Sequence, residues 1–188
     1  MNLIIFGPPG AGKGTQSKFI VKKFQMFQLS TGEFLRNEIA NKTTIGKKIS
    51  SIINTGSLVS DDIVSNLIEK VISNSKYHNN IIFDGYPRSL NQAKNLDNLL
   101  KKHNQKISLV LKLSVSLKTI KKRISERRNL EKRSDDNEEI AVKRYQTYEK
   151  STEPVIEFYK KLNLLKVIDG ERSIDQINKE ISDIIALI

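Results

Sequence analysis

The nine residues Gly7-Pro8-Pro9-Gly10-Ala11-Gly12-Lys13-Gly14-Thr15 constrain this chain more than any other stretch. They follow a short apolar run, Asn2 to Phe6, and precede Lys13 to Lys23, where Phe19, Ile20 and Val21 stand among polar residues as on an amphipathic helix. Strand, glycine-rich turn and helix are the setting in which a G-x-x-x-x-G-K loop binds phosphate. Glycines let backbone N–H groups turn inward around the oxygens, the helix N-terminus adds partial positive charge, and Lys13 supplies a mobile full charge. The Ser or Thr that usually follows the lysine is replaced by Gly14, with Thr15 one position later.

Buried-strand candidates recur at Ile81 to Phe83, Ser108 to Leu113 and Leu164 to Ile168, with a weaker one at Met26 to Leu29. Helical segments separate them, and alternating β and α elements predict a parallel sheet covered on both faces. Ser30 to Val59 reads as an insert of two short helices, bent at Gly46 and broken at Thr55-Gly56. Leu117 to Arg128 and Asn137 to Lys161 read as long helices, separated by a polar run, Asn129 to Asp136, with the composition of an exposed loop. At 188 residues the chain is expected to form one domain, 1–188, with inserts.

Composition removes several chemistries. With no cysteine and only His78 and His103, disulfides, thiolate zinc ligands, a cysteine nucleophile and a histidine cluster are excluded. Leu3 to Phe6 is too short an apolar run for a signal peptide or a membrane span, so a cytoplasmic protein is expected. The net charge of +11 calls for an anionic partner. Lysine pairs such as Lys22-Lys23, Lys101-Lys102 and Lys160-Lys161 fall where solvated helix faces would place them. A nucleic-acid-binding module gains little support, because aromatics are only 6% and none interleave with basic residues as a stacking platform would.

The loop has the form Gly-x-Pro-Gly-x-Gly-Lys-Gly-Thr, which resembles that of the adenylate kinases. The resemblance continues in order through Leu29 to Arg36, Gly56 to Val59, Phe83-Asp84-Gly85-Tyr86-Pro87-Arg88 with Gln92, Arg133 to Asn137, and Val167 to Gly170. It implies an α/β fold, a three-layer α/β/α P-loop NTPase-like arrangement with a central parallel five-stranded sheet, a helical AMP-binding insert at 30–59 and a short lid at 126–136. It also implies reversible transfer of the terminal phosphoryl group of Mg-ATP to AMP, giving two ADP, by a protein that is commonly a monomer, with no nucleic-acid or membrane partner. The lid is too short for the zinc-bearing domain of long-lid relatives, so no zinc or other structural metal is expected.

By the same resemblance Lys13, Arg88, Arg127, Arg133 and Arg144 are the catalytic cations, with Arg123 one helical turn before Arg127. ATP falls to Gly10, Ala11, Gly12, Lys13, Gly14, Thr15, Arg127 and Arg172, the last at a position where the family often has lysine. AMP falls to Thr31, Arg36, Ser57, Leu58, Val59, Gly85, Tyr86, Pro87, Arg88, Gln92, Arg133 and Arg144. Asp84, at the end of an apolar strand, resembles the carboxylate that orients Mg2+ through water. Physically, two phosphate tails brought end to end need many fixed cations and no general base, because the attacking phosphate is already an anion. A UMP/CMP kinase of the same family is the nearest alternative; Thr31 and Gln92 argue against it, since those kinases generally carry Ala and Asn there.

Overall fold

Asn2–Phe6 forms the central strand, β1, and all five of its residues are buried. Two-sided burial is what an uninterrupted apolar run requires, and the pleat divides it: Ile4 and Phe6 enter one core, Leu3 and Ile5 the other. The computed structural model describes residues 1–131 and 136–188. After β1 come α1 (Lys13–Phe24), β2 (Phe27–Ser30), α2 (Thr31–Ala40), α3 (Thr44–Asn54), α4 (Asp61–Ile72), β3 (Ile81–Asp84) and α5 (Leu90–Lys102). The chain continues through β4 (Ile107–Ser114), α6 (Leu117–Glu131), α7 (Glu138–Lys161), β5 (Leu165–Asp169) and α8 (Ile174–Ile185).

The five strands lie in the order β2-β3-β1-β4-β5, and every pairing is parallel. One core lies between the sheet and α2 to α5 with α7, built on Leu35, Ile49, Ile68, Leu96 and Ile156. The other lies under α1, α6 and α8, built on Ile20, Ile120, Ile124, Ile177 and Ile181. The expected three layers are therefore present. Strand order changes direction at β1, whose successor β2 lies on one side and β4 on the other, so the crevice forms beyond the carboxyl ends of β1 and β3.

Three local expectations need correction. The insert does not bend at Gly46: the turn is Asn41 to Thr43, with Lys42 at φ 52°, and Thr43 caps α3 through a bond from the Gly46 N–H. Gly46 lies in the first turn of α3 for another reason. A Cβ there would stand 2.0 Å from the carbonyl oxygen of Glu38, so α2 and α3 approach too closely for a side chain. The run read as a loop from Asn129 is helical to Glu131, and Asp136 at its far end is buried. Finally β5, expected to be buried, is an edge strand with Lys166 and Val167 exposed. The paired lysines do lie on exposed helix faces.

Candidate functional site

Gly12 caps α1 in the left-handed region, at φ 95°, with no side-chain cap hydrogen bond. The first-turn N–H groups are thus offered to a ligand, and the absence of acidic residues from that turn keeps its field positive. Lys13 folds back over the loop: Nζ donates to the carbonyl oxygens of Gly7 at 2.6 Å and Pro8 at 3.1 Å. Burial pushes its pKa down to about 8; repulsion from Arg88, Arg144 and Arg127 adds to this, while Asp84 acts in the opposite direction.

Beyond the loop opens a cleft of about 1050 Å³, its mouth included, lined by residues from distant segments. Lys13, Arg36, Arg88 and Arg144 all face it, as do Thr31, Gly85, Pro87, Gln92 and the run Ser57-Leu58-Val59. The structure therefore brings together most of the acceptor-side residues expected from the sequence. Tyr86 is not among the lining residues: it is 1% exposed, and its hydroxyl donates to the backbone oxygen of Gln92.

Each cation is held by its surroundings. Arg88 Nε donates to the carbonyl of Gly85 at 2.7 Å, and burial lowers the guanidinium's pKa, with Asp84 opposing and Arg36 reinforcing the shift. Gly85 sits at φ 81°, where a Cβ would meet the Arg88 guanidinium at 2.9 Å and Thr31 Oγ1 at 3.0 Å. Thr31 donates to the Gly85 carbonyl at 3.0 Å, which leaves its oxygen as an acceptor. The Arg36 guanidinium lies beside Gly32, and the Arg144 stem packs where Gly56 has no side chain. Asp84 ends β3 with one oxygen accepting from Gln28 Nε2 at 3.0 Å.

On the donor side, Arg127 donates through Nε and Nη2 to the two carboxylate oxygens of Asp136, at 2.6 and 2.5 Å, and Arg144 approaches the same carboxylate at 3.7 Å. Asp136 links the two arginines, and the sequence reading did not include it among the site residues. Its one signal is its place in the motif Arg133 to Asn137, three residues after Arg133; its burial cannot be read from a polar run. Arg123 donates to Gly170 O at 2.8 Å and lies 3.4 Å from Ala11 O, tying the phosphate loop to the segment after β5. Glu171 fixes that segment further by accepting from Ser116 N and Thr119 Oγ1, both at 2.6 Å, and the Thr119 hydroxyl is the largest cause of a pKa of about 2. Arg172 pairs with Glu180 of α8 rather than facing the cleft. Arg133 lies outside the described residues.

The profile of the family described as adenylate kinase matches residues 5–164. A protein named adenylate kinase from Pelagibacter ubique (strain HTCC1062) is 46% identical over an alignment of 211 residues, covering 98% of this chain and 99% of the relative. One of the same name from Azobacteroides pseudotrichonymphae genomovar. CFP2 is 43% identical over 185 residues, covering 96% and 95%. Another from Petrotoga mobilis (strain DSM 10674 / SJ95) is 38% identical over 212 residues, covering 98% and 97%. Likeness of this degree over nearly the whole chain, on a parallel sheet whose phosphate loop opens into an arginine-lined cleft, shows that the chain belongs to the adenylate kinase family.

Proposed function

We propose that the chain transfers the terminal phosphoryl group of ATP to AMP, with the donor on the phosphate loop and the acceptor against α2, α3 and the turn after β3. The single observation that carries this reading is the cleft in which Lys13, Arg36, Arg88 and Arg144 converge from four separate segments. Four cations around one space suit two phosphate tails meeting end to end, and they spread the charge that builds on the transferred group. The loop N–H groups and Lys13 hold the donor phosphates; Arg36 and Arg88 hold the acceptor phosphate. Arg144, tied through Asp136 to Arg127, stands where donor-side and acceptor-side groups meet. Positioning and fixed charge supply the catalysis, and exclusion of water keeps the phosphoryl group from hydrolysis.

Asp84 suits a hydrated magnesium ion, because one oxygen is occupied by Gln28 and the other is left for a water ligand. Magnesium, when bound with ATP, supplies charge neutralisation between the donor phosphates. A short lid at 126–136 belongs to the same proposal; the Pelagibacter and Petrotoga relatives align over more positions than this chain has residues, so this chain lacks residues that those relatives have, whereas the Azobacteroides relative aligns over 185. A cytoplasmic monomer is part of the same proposal. Among the described residues no helix is long and apolar enough to cross a membrane.

The assay that tests this reading supplies Mg-ATP with AMP, GMP, CMP or UMP and follows ADP. AMP should be used with at least about tenfold preference over CMP and UMP, because a pyrimidine leaves buried polar groups unpaired. Thr31→Ala should leave the KM for ATP unchanged, reduce the use of AMP and raise the relative use of CMP and UMP. Faster use of UMP or CMP than AMP at equal low concentration would replace the adenylate reading with the pyrimidine one.

The lowered pKa of Lys13 predicts a pH limb. In the empty cleft the ammonium loses its charge as pH rises through about 8, whereas a bound phosphate anion favours the charged form and moves the pKa back up. Thus kcat/KM for ATP should fall on the order of tenfold per pH unit above that point, while kcat holds to higher pH. Initial rates across the alkaline range check this; a flat kcat/KM through pH 9.5, roughly a unit and a half above the lysine's pKa, would contradict it.

A further inference from the structure

We propose that Asp61 is the residue that decides between purines at the acceptor site, by locking the orientation of the Gln92 side-chain amide. The inference rests on the reading that Gln92 faces the acceptor base. A glutamine amide is ambiguous as a reader. Rotated by a half turn about its last bond, it exchanges an acceptor for a donor at nearly no steric cost. Adenine presents an amino donor beside a ring acceptor, and guanine presents a keto acceptor beside a ring N–H. A freely turning glutamine would pair with either.

In this structure the amide cannot turn. Gln92 Oε1 accepts from the backbone N–H of Arg88 at 2.7 Å, and Gln92 Nε2 donates to Asp61 Oδ1 at 2.6 Å. Neither partner can change its role: a backbone N–H only donates and an ionised carboxylate only accepts. The turned amide would set Nε2 against the Arg88 N–H and Oε1 against the Asp61 carboxylate, replacing two hydrogen bonds by two repulsions. The rest of the residue is fixed as well. Its N–H donates to the capping Ser89 Oγ at 3.2 Å, its carbonyl accepts from Tyr86, and it is 5% exposed.

Each end of the amide keeps one further hydrogen-bonding site, an N–H on Nε2 and a lone pair on Oε1, and the residue lines the cleft. Those two sites have a fixed order, so they fit the edge of one purine and oppose the other. Asp61 is the only part of the lock carried by a replaceable side chain. It is exposed, it begins α4, and Asp62 beside it keeps an acidic group in that helix's first turn when Asp61 is changed. Asp61 acts through Gln92 and is a positioning residue.

The test compares kcat/KM for AMP and GMP in the wild type, Asp61→Ala, Asp61→Asn and Gln92→Ala, with the KM for ATP as an internal control. In Asp61→Ala the ratio of GMP to AMP use should rise at least about tenfold, with the KM for ATP unchanged, because one of the two groups opposing rotation is gone. Asp61→Asn keeps a neutral acceptor and should retain most of the wild-type preference. The Gln92 side-chain NH2 resonances give an independent readout, since loss of a charge-assisted bond should shift one proton upfield and speed its exchange. If Gln92→Ala impairs AMP use while Asp61→Ala leaves the GMP to AMP ratio unchanged, the lock is wrong and the acceptor-site reading stands. If Gln92→Ala leaves AMP use intact, the acceptor-site reading of Gln92 fails, and the lock fails with it.

Discussion

Lys13→Ala should lower kcat by a few hundred- to about a thousandfold and leave the folded state essentially as stable as before. The ammonium is aimed at backbone oxygens of its own loop, and both cores are built from other, apolar side chains. A net hydrogen bond of this kind stabilises by only about 1 kcal/mol. Removing the charge also relieves repulsion from Arg88, Arg144 and Arg127, which partly offsets that loss. In the reaction the balance is different, because a preorganised cation facing charge that grows in a water-poor cleft contributes about 3–4 kcal/mol per contact. Single-turnover rates and a thermal melt on the same preparation separate the two effects. A folded variant with near-normal turnover would remove the phosphate-loop role.

Gly46→Ala should destabilise the protein by about 3 kcal/mol, although the same exchange in an exposed helix interior gains roughly 1 kcal/mol. The sign reverses because the new Cβ would lie 2.0 Å from the oxygen and 2.4 Å from the carbon of the Glu38 carbonyl. Those are backbone atoms in α2, so the clash is relieved only by moving one helix away from the other. Urea titration gives the stability change, and the KM for AMP should rise with it, since Arg36 and Ile53 line the cleft from these two helices. A variant as stable as the wild type would mean that α2 and α3 separate without loss.

What could be read from the sequence was what lies close together along the chain. The phosphate loop was legible because its strand, glycines and helix are contiguous, and the sheet because apolar runs of β type alternate with helical periodicity. A glycine in isolation signals a turn, so Gly46 reads as a bend, whereas its cause is a neighbouring helix eight residues back. Asp136 reads as part of an exposed run because its burial depends on Arg127 and Arg144, brought to it by two different helices. The helix α8 has its own local signals in the sequence, since Ser173 and Gln176 form a capping box and Ile177, Ile181 and Ile185 recur at helical spacing behind it. The fixed orientation of Gln92 depends on a partner 31 residues away, and nothing in its own neighbourhood announces it.

The cations gathered in the cleft bear on more than the reaction. Folding brings Lys13 and Arg88 out of water and close to other positive groups, and the lowered pKa of each records that the empty protein holds them at a loss. A nucleotide reverses that loss by supplying the counter-charge, so part of its binding free energy appears as resistance to unfolding. At a hundred times its dissociation constant, a ligand that binds only the folded form adds about 2.7 kcal/mol. The persistence of this chain in a cell is therefore tied to the supply of the nucleotides it handles: when they run short, the free enzyme opens more often and becomes the easier target for proteolysis.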